Sequence, residues 1–152
     1  RLRDAMPDIG LTTDLIVGFP GETEEDFNQT IDLVRQVRYD SAYTFIYSPR
    51  QGTVAAEMPN QVDEETAKRR IHELIAVQEQ ITAETYAAQV GRVENVLCEG
   101  VSARSERQIT GRTQRGITVN FDGSADMVGS VVPVMITGAG HNTLKGKIAP
   151  AE

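Results

Sequence analysis

The stretch TDLIVGFPGETEEDF, residues 13–27, constrains the fold more than any other part of the chain. Residues 11–17 form a short apolar run rich in β-branched side chains, and the run stops at Gly18-Phe19-Pro20-Gly21. A run of that length, bounded by turn residues, predicts a strand buried on both faces, as in a parallel sheet. Thr23 then supplies an N-cap hydroxyl, and Asp26 follows three residues later. Glu24 and Glu25 suit the positive end of a helix dipole. Phe27, Ile31, Val34 and Val37 recur at helical spacing, so the helix should bury one stripe. Residues 42–47 make a second strand candidate. Strand, helix and strand together predict a right-handed βαβ unit.

A polar connection leads to Pro59, and Asp63 is placed to cap a long helix over residues 64–89 that Gly91 stops. Its apolar positions are Ala67, Ile71, Leu74, Ile75, Ile81 and Ala88, interrupted by Gln78. Beyond Gly91 the pattern changes. Residues 92–99, 108–113, 117–120, 131–137 and 144–148 are short strand candidates between Gly, Ser, Asn and Asp. Five short strands in so small a span predict a β-barrel of the OB kind. The expected division is therefore an α/β part over residues 1–90 and a small all-β barrel over residues 91–150.

Charge follows the same division. Residues 1–90 carry 8 basic and 16 acidic side chains, and residues 91–152 carry 7 and 6. The chain has a net charge of −7, which argues against indiscriminate nucleic-acid binding by the whole surface but leaves room for a local basic face. No apolar run approaches the roughly 20 residues of a membrane helix. One cysteine, Cys98, excludes an internal disulfide and fits a reducing, cytoplasmic setting. The chain opens Arg-Leu-Arg without an initiator Met, so a piece of a longer protein is expected.

Three segments can carry chemistry. Asp14, Gly18, Gly21 and Glu22 lie in or just past the first strand, where ligands bind in α/β sheets and barrels. An ordinary βα turn before a capped helix explains the same residues. Tyr47, Ser48 and Arg50 lie past the second strand, at the same rim, and the Arg50 fork suits a carboxylate or phosphate. Arg112, Thr113, Arg115 and Asn120, with Phe121 beside them, offer phosphate contacts and a stacking ring on the barrel. A solvated hairpin is the alternative. His72 reads as solvated, His141 as a turn residue and Cys98 as a small buried one. Their spacing suits no metal site.

The motifs TDLIVGFPGETEEDF, FIYSPRQGTVAAEMPNQV and TGRTQRGITVNF, in that order, resemble the methylthiotransferase family of radical S-adenosylmethionine (SAM) enzymes across nearly the whole chain. The resemblance implies that residues 1–90 are the C-terminal part of a radical SAM α/β barrel and that residues 91–150 are a TRAM domain, a small RNA-binding barrel. It implies a parent transferase that adds sulfur and a methyl group at C2 of an isopentenylated adenosine beside the anticodon. SAM and two [4Fe-4S] clusters would be its cofactors, and a tRNA anticodon stem-loop its partner. The parent is expected to be a monomer with no membrane attachment.

Asp14, Gly18, Gly21, Glu22, Tyr47, Ser48 and Arg50 match motifs beside the family's SAM pocket. Arg112, Thr113, Arg115 and Asn120 match its RNA-contacting signature. No residue of this chain matches a catalytic acid or base. The family's clusters need cysteines in a CxxxCxxC spacing and three more besides, and a chain whose one cysteine is Cys98 cannot supply them. This stretch alone is therefore expected to be inactive. Family members that act on an aspartate of a ribosomal protein or on threonylcarbamoyladenosine remain alternatives, as does a free-standing RNA-binding module. The ITVNF tail favours tRNA.

Overall fold

The computed structural model describes residues 1–103 and 105–150. The chain divides into two compact units, one of residues Leu11–Thr82 and one of Arg1–Gly10 with Ala83–Glu152.

In the first unit, β1 (Thr12–Val17) and β2 (Ser41–Ile46) pair in parallel, Asp14 opposite Tyr43 and Ile16 opposite Phe45. Helix α2 (Glu24–Val37) connects them, after a short α1 (Leu2–Ala5) that belongs to the other unit. The predicted capping box forms at the start of α2: the Asp26 amide donates to Thr23 Oγ1 at 3.1 Å and the Thr23 amide to Asp26 Oδ2 at 2.9 Å. Phe27, Ile31 and Val34 are buried, as their spacing requires. Helix α3 (Val54–Glu57) follows, and then α4 (Glu64–Ala87), which starts where the Thr66 amide donates to Asp63 Oδ1 at 2.8 Å. The core joins Val17, Phe27, Ile31, Val34, Leu74 and Ile81.

Strand β1 is not buried on both faces. Its alternation is clean: Leu15 and Val17 turn toward the helices, whereas Thr12, Asp14 and Ile16 lie on an exposed face with Ser41, Tyr43 and Phe45. Ile16, Tyr43 and Phe45 are 55%, 69% and 51% exposed. Only one layer of helices packs on this two-stranded sheet, so the apolar run is covered on one side.

The buried stripe of α4 includes polar residues. Arg70 and Gln78 are buried alongside Ala67, Leu74 and Ile81. Gln78 is thus part of the packed face, where its Nε2 donates to Tyr39 O at 2.8 Å and to Thr82 Oγ1 at 3.1 Å. Arg70 reaches the loop after β1. Its Nη1 donates to Glu22 Oε1 at 2.6 Å and to Glu22 O at 3.1 Å, and its Nη2 to Glu24 Oε2 at 3.1 Å. The guanidinium also lies 5.6 Å from the centre of the Phe27 ring. Glu22 Oε1 accepts a further bond from the Gly18 amide at 3.0 Å. One carboxylate thereby ties the loop to α4. Gly18 has φ +74°, and a Cβ there would press on Ala67 of α4, so both backbone conformation and space call for glycine.

The second unit holds a closed five-stranded barrel. Its strands are β3 (Val93–Ser102), β4 (Ser105–Thr113), β5 (Thr118–Asp122), β6 (Val131–Ala139) and β7 (Leu144–Ile148). They are ordered β3-β4-β5-β7-β6, closing through the antiparallel β3–β6 pair, with β5 and β7 parallel. In barrel numbering this is 1-2-3-5-4, the connectivity expected of an OB-like barrel. Val96, Cys98, Ile109, Val119, Phe121, Val134, Ile136 and Leu144 fill it, joined by Tyr86 from the end of α4. Burial pushes the Cys98 thiol above its ordinary pKa, partly offset by a hydrogen bond with Ser130. Space inside so small a barrel is short, and a Cβ at Gly146 would overlap Val134 Cγ1 and crowd Met135 O.

Three outcomes follow for stability. Arg70→Ala leaves the Glu22 carboxylate, 11% exposed, without its partner and should cost about 3–5 kcal/mol in urea unfolding. Glu22→Gln keeps an acceptor for Arg70 and the Gly18 amide and should cost clearly less; equal losses would show that the ion pair does not hold the loop. Gly146→Val should destabilise the barrel by at least about 1–3 kcal/mol, read as a lower thermal midpoint.

The third outcome concerns acid. Glu24 is held below its ordinary 4.5 by Arg69 and then Arg70. Asp26 and Asp63 are held below 3.8 by the Thr23 and Thr66 amides first and the same residues' hydroxyls next. Groups with lowered folded-state values stabilise fully above their unfolded values and lose that contribution as pH falls through the folded ones. Stability should therefore be level above about pH 5 and fall below it. With Asp26→Asn and Asp63→Asn together the fall should be shallower, as followed by circular dichroism.

Candidate nucleic-acid interface and ligand cleft

Clefts sit where the sequence placed candidate residues, one in the first unit and two on the barrel, the smaller of which, about 180 Å³, is lined by Arg112 and Thr113 among others. The first lies on the open face and at the carboxyl end of the parallel strands. It measures about 520 Å³ and is lined by Ile16, Phe19, Phe45, Tyr47, Ser48 and Arg50 among others. Phe19 and Tyr47 meet edge to face, with ring centres 5.2 Å apart. The Tyr47 amide donates to Val17 O at 2.8 Å, which anchors the second loop to the end of β1. The Tyr47 hydroxyl is buried and has no hydrogen-bond partner among the described residues, and the Arg50 guanidinium makes no ion pair among them. The cleft thus joins an apolar wall, the Tyr47 ring included, to a guanidinium fork, while the Tyr47 hydroxyl itself is closed off from solvent.

The other residues of this set have different placements. Asp14 is exposed on the same open face, two residues before Ile16. Gly18 and Gly21 take positive φ, +74° and +87°, and shape the turn that carries Phe19. Glu22 faces Arg70, away from this cleft's lining, and its part is to hold the turn. Arg70 was not legible as a site-shaping residue, because a charged residue inside a helix reads as solvated. The signal was its place in the stripe, three residues after Ala67 and four before Leu74.

The second cleft is on the barrel. It measures about 570 Å³ and lies over β4, β5 and β7 between the β3–β4 and β6–β7 loops. Register aligns Thr110, Asn120 and Lys145 as one row across the three strands. Thr118 flanks the row, and residues 140–143 close one side, His141 Nδ1 lying 2.9 Å from Asn142 Oδ1. Among the predicted residues only Asn120 lies in this cleft. Arg112 stands on the outer face of β4 beside the row, paired with Glu99 at 3.2 Å. Thr113 is buried, its Oγ1 accepting from the Ile117 amide at 3.2 Å, so it braces the β4–β5 turn that carries Arg115.

Phe121 corrects an expectation. It is 1% exposed and belongs to the barrel core, so it offers no stacking surface. Strand alternation sends Asn120 out and Phe121 in. Thr110 opens the candidate segment that ends at Arg115; Thr118 and Lys145, which the sequence reading missed, become visible only once pairing places their side chains beside it.

Among the described residues no group of three His, Cys, Asp or Glu side chains is placed to hold a metal ion. No described helix is long and apolar enough to cross a membrane.

Comparison with known proteins places these features. Residues 87–149 match the TRAM domain family. The tRNA-2-methylthio-N(6)-dimethylallyladenosine synthase of Carboxydothermus hydrogenoformans is 52% identical over 90% of this chain and 31% of its own length. The protein of the same name from Thermoanaerobacter sp. strain X514 is 47% identical over 97% of the chain and 31% of its length. That from Yersinia pestis is 45% identical over 100% of the chain and 32% of its length. The chain therefore spans about a third of the length of the curated relatives it matches. The closed barrel falls within the TRAM match, and the chain as a whole, through both units, is similar to these synthases.

Proposed function

We propose that this chain is the C-terminal part of a tRNA methylthiotransferase. The parent adds sulfur and a methyl group at C2 of an isopentenylated adenosine beside the anticodon. The observation that carries the reading is that similarity to synthases of that name runs unbroken through both units, at 45–52% identity. In this reading residues 1–90 close one side of a radical SAM α/β barrel, and residues 91–150 hold the tRNA anticodon stem-loop. The names of the relatives favour a tRNA substrate over the ribosomal-protein branch and over a free-standing RNA-binding module.

Features of the first unit support this assignment. The open face of β1 and β2 would look into the barrel, and its cleft lies at the carboxyl end of the strands, where such barrels bind ligands. The apolar wall fits a nucleoside-bearing ligand. SAM, given an electron by a cluster held elsewhere in the parent, would supply the radical. Around it Ile16, Phe19, Phe45 and the Tyr47 ring would exclude water, Ser48 would offer a hydrogen bond, and Arg50 would take a carboxylate. Gly18, Gly21 and Glu22 set the turn, and Asp14 adds a carboxylate on the inner face. The [4Fe-4S] clusters do not fit this chain: its one cysteine, Cys98, is buried in the β-barrel core. Cluster chemistry belongs to the remainder of the parent, in the cytoplasm.

On the second unit, Arg112 and Arg115 contact phosphates, Thr113 braces their turn and Asn120 meets the RNA. The Arg112–Glu99 pair is an exposed one, of little net value, so phosphate can displace the carboxylate. A labelled anticodon stem-loop should bind the chain in a fluorescence titration with an affinity that falls steeply between about 50 and 200 mM salt. Replacing both Arg112 and Arg115 by alanine should weaken binding and make the logarithmic salt slope about 2 shallower, about 1 per arginine. An affinity indifferent to salt would remove the phosphate contacts from the reading.

A further inference from the structure

Arg70 stands in the packed stripe of α4, three residues after Ala67 and four before Leu74, with 5% of its side chain exposed. A leucine there would extend the stripe and bury no polar atom. The guanidinium is harder to place: its Nε is buried and has no hydrogen-bond partner among the described residues. Replacing a buried ion pair by apolar side chains of similar volume is often neutral or stabilising. Stability alone therefore does not account for Arg70.

What its two Nη atoms hold is the turn of residues 18–22. Nη1 donates to Glu22 Oε1 at 2.6 Å and to Glu22 O at 3.1 Å, and Nη2 reaches Glu24 Oε2 at 3.1 Å. From the far end of the turn the Glu22 carboxylate accepts the Gly18 amide at 3.0 Å, and the Glu22 amide donates to Phe19 O at 2.9 Å. The Gly21 amide donates to Asn60 O, also at 2.9 Å. Gly18 and Gly21 both take positive φ, so the turn has little stiffness of its own. Its one ring, Phe19, is 43% exposed, meets Tyr47 edge to face and lines the cleft that Arg50 also lines. Arg70 is not part of that lining.

We propose that Arg70 is a positioning residue of this cleft: acting through Glu22, it fixes where Phe19 stands and so sets the affinity for SAM. The proposal rests on the SAM reading of the cleft given above and adds to it a residue that touches neither ligand nor cleft wall. Without Arg70 the turn regains the freedom of its two glycines. The Phe19 ring must then be ordered on each binding event, and affinity falls by that ordering cost.

The test is a calorimetric titration of S-adenosylhomocysteine, which lacks the methyl group of SAM, into the full-length parent that contains this chain and holds its clusters. Affinity is thereby read without turnover. Arg70→Met combined with Glu22→Gln leaves no unpaired charge and keeps an acceptor for the Gly18 amide. Circular dichroism should show this pair variant folded, with a thermal midpoint close to that of the unaltered protein. It should nevertheless bind S-adenosylhomocysteine about three- to tenfold more weakly, roughly the strength of one aromatic contact. Phe19→Ala should weaken binding by a similar factor. Adding the pair to Phe19→Ala should weaken it little further, because Arg70 acts through the ring already removed; a merely structural role would give independent losses that multiply. Should the pair variant fail to fold, Arg70→Lys carries the same cycle, since a compact ammonium cannot hold Glu22 Oε1, Glu22 O and Glu24 as the guanidinium fork does.

Unchanged affinity in the folded variant, or losses that multiply with Phe19→Ala, would overturn the proposal and leave the SAM reading of the cleft standing. If Phe19→Ala and Arg50→Ala also leave the affinity unchanged, SAM does not bind in this cleft, and reading and proposal fall together.

Discussion

The pleat of a strand sorts neighbouring residues into two populations, and nearly everything about both clefts follows from that sorting. In β5 the order Val119, Asn120, Phe121 sends the first and third into the barrel and leaves the amide outside. In β1 the order Leu15, Ile16, Val17 gives two residues to the helices and leaves Ile16 on the open sheet face. A one-residue shift of register would exchange the populations and abolish core and cleft together. The two units protect that register differently. The barrel closes on itself, so each strand has two neighbours. The parallel pair has only one partner per strand, and its register depends on the helices packed against one face.

That dependence explains why a charged side chain sits in the packed face of α4. A guanidinium taken out of water needs its donors occupied, and the geometry that occupies them also fixes the loop that supplies the acceptors. Arg70 meets most of this need through its two Nη atoms, which bind the Glu22 carboxylate and carbonyl and reach Glu24 in the first turn of α2, while its buried Nε has no hydrogen-bond partner among the described residues. Glu22 in turn receives the Gly18 amide. The turn bearing Phe19 is thus fixed by a chain of directional bonds in place of apolar contact, and Phe19 in turn packs on Tyr47 at the mouth of the cleft.

Local signals carried the sequence reading far. The Thr23–Asp26 capping box, the Asp63 cap and the strand–helix–strand order each follow from a few adjacent residues, and each forms. The barrel strands were located because turn residues separate them, although several extend further than the pattern suggested: β3 runs on to Ser102, and β5 to Asp122. What escaped depends on partners distant in sequence. Whether the run 11–17 is covered on one face or two is decided by what packs on it. Arg70 and Gln78 interrupt an apolar stripe, and their burial is made tolerable largely by Glu22, Glu24 and Tyr39, each more than thirty residues away. Thr113 looked like a surface hydroxyl because nothing nearby shows that Ile117 folds back on it. The row of Thr110, Asn120 and Lys145 spans 36 positions in sequence and exists only through strand pairing.

The chain's acidity then acquires a physical sense. A surface carrying a net charge of −7 repels a polyanion at long range, and at physiological salt that repulsion is felt within about 8 Å. RNA approaching the acidic part gains nothing to offset it. In the RNA-binding reading proposed above, RNA approaching the barrel would meet Arg112 and Arg115 at one hairpin. In that reading attraction would be confined to the arginine-bearing hairpin, and repulsion elsewhere would suppress wrong orientations. This arrangement favours specificity over encounter rate. A chain made basic overall would associate faster and with less discrimination.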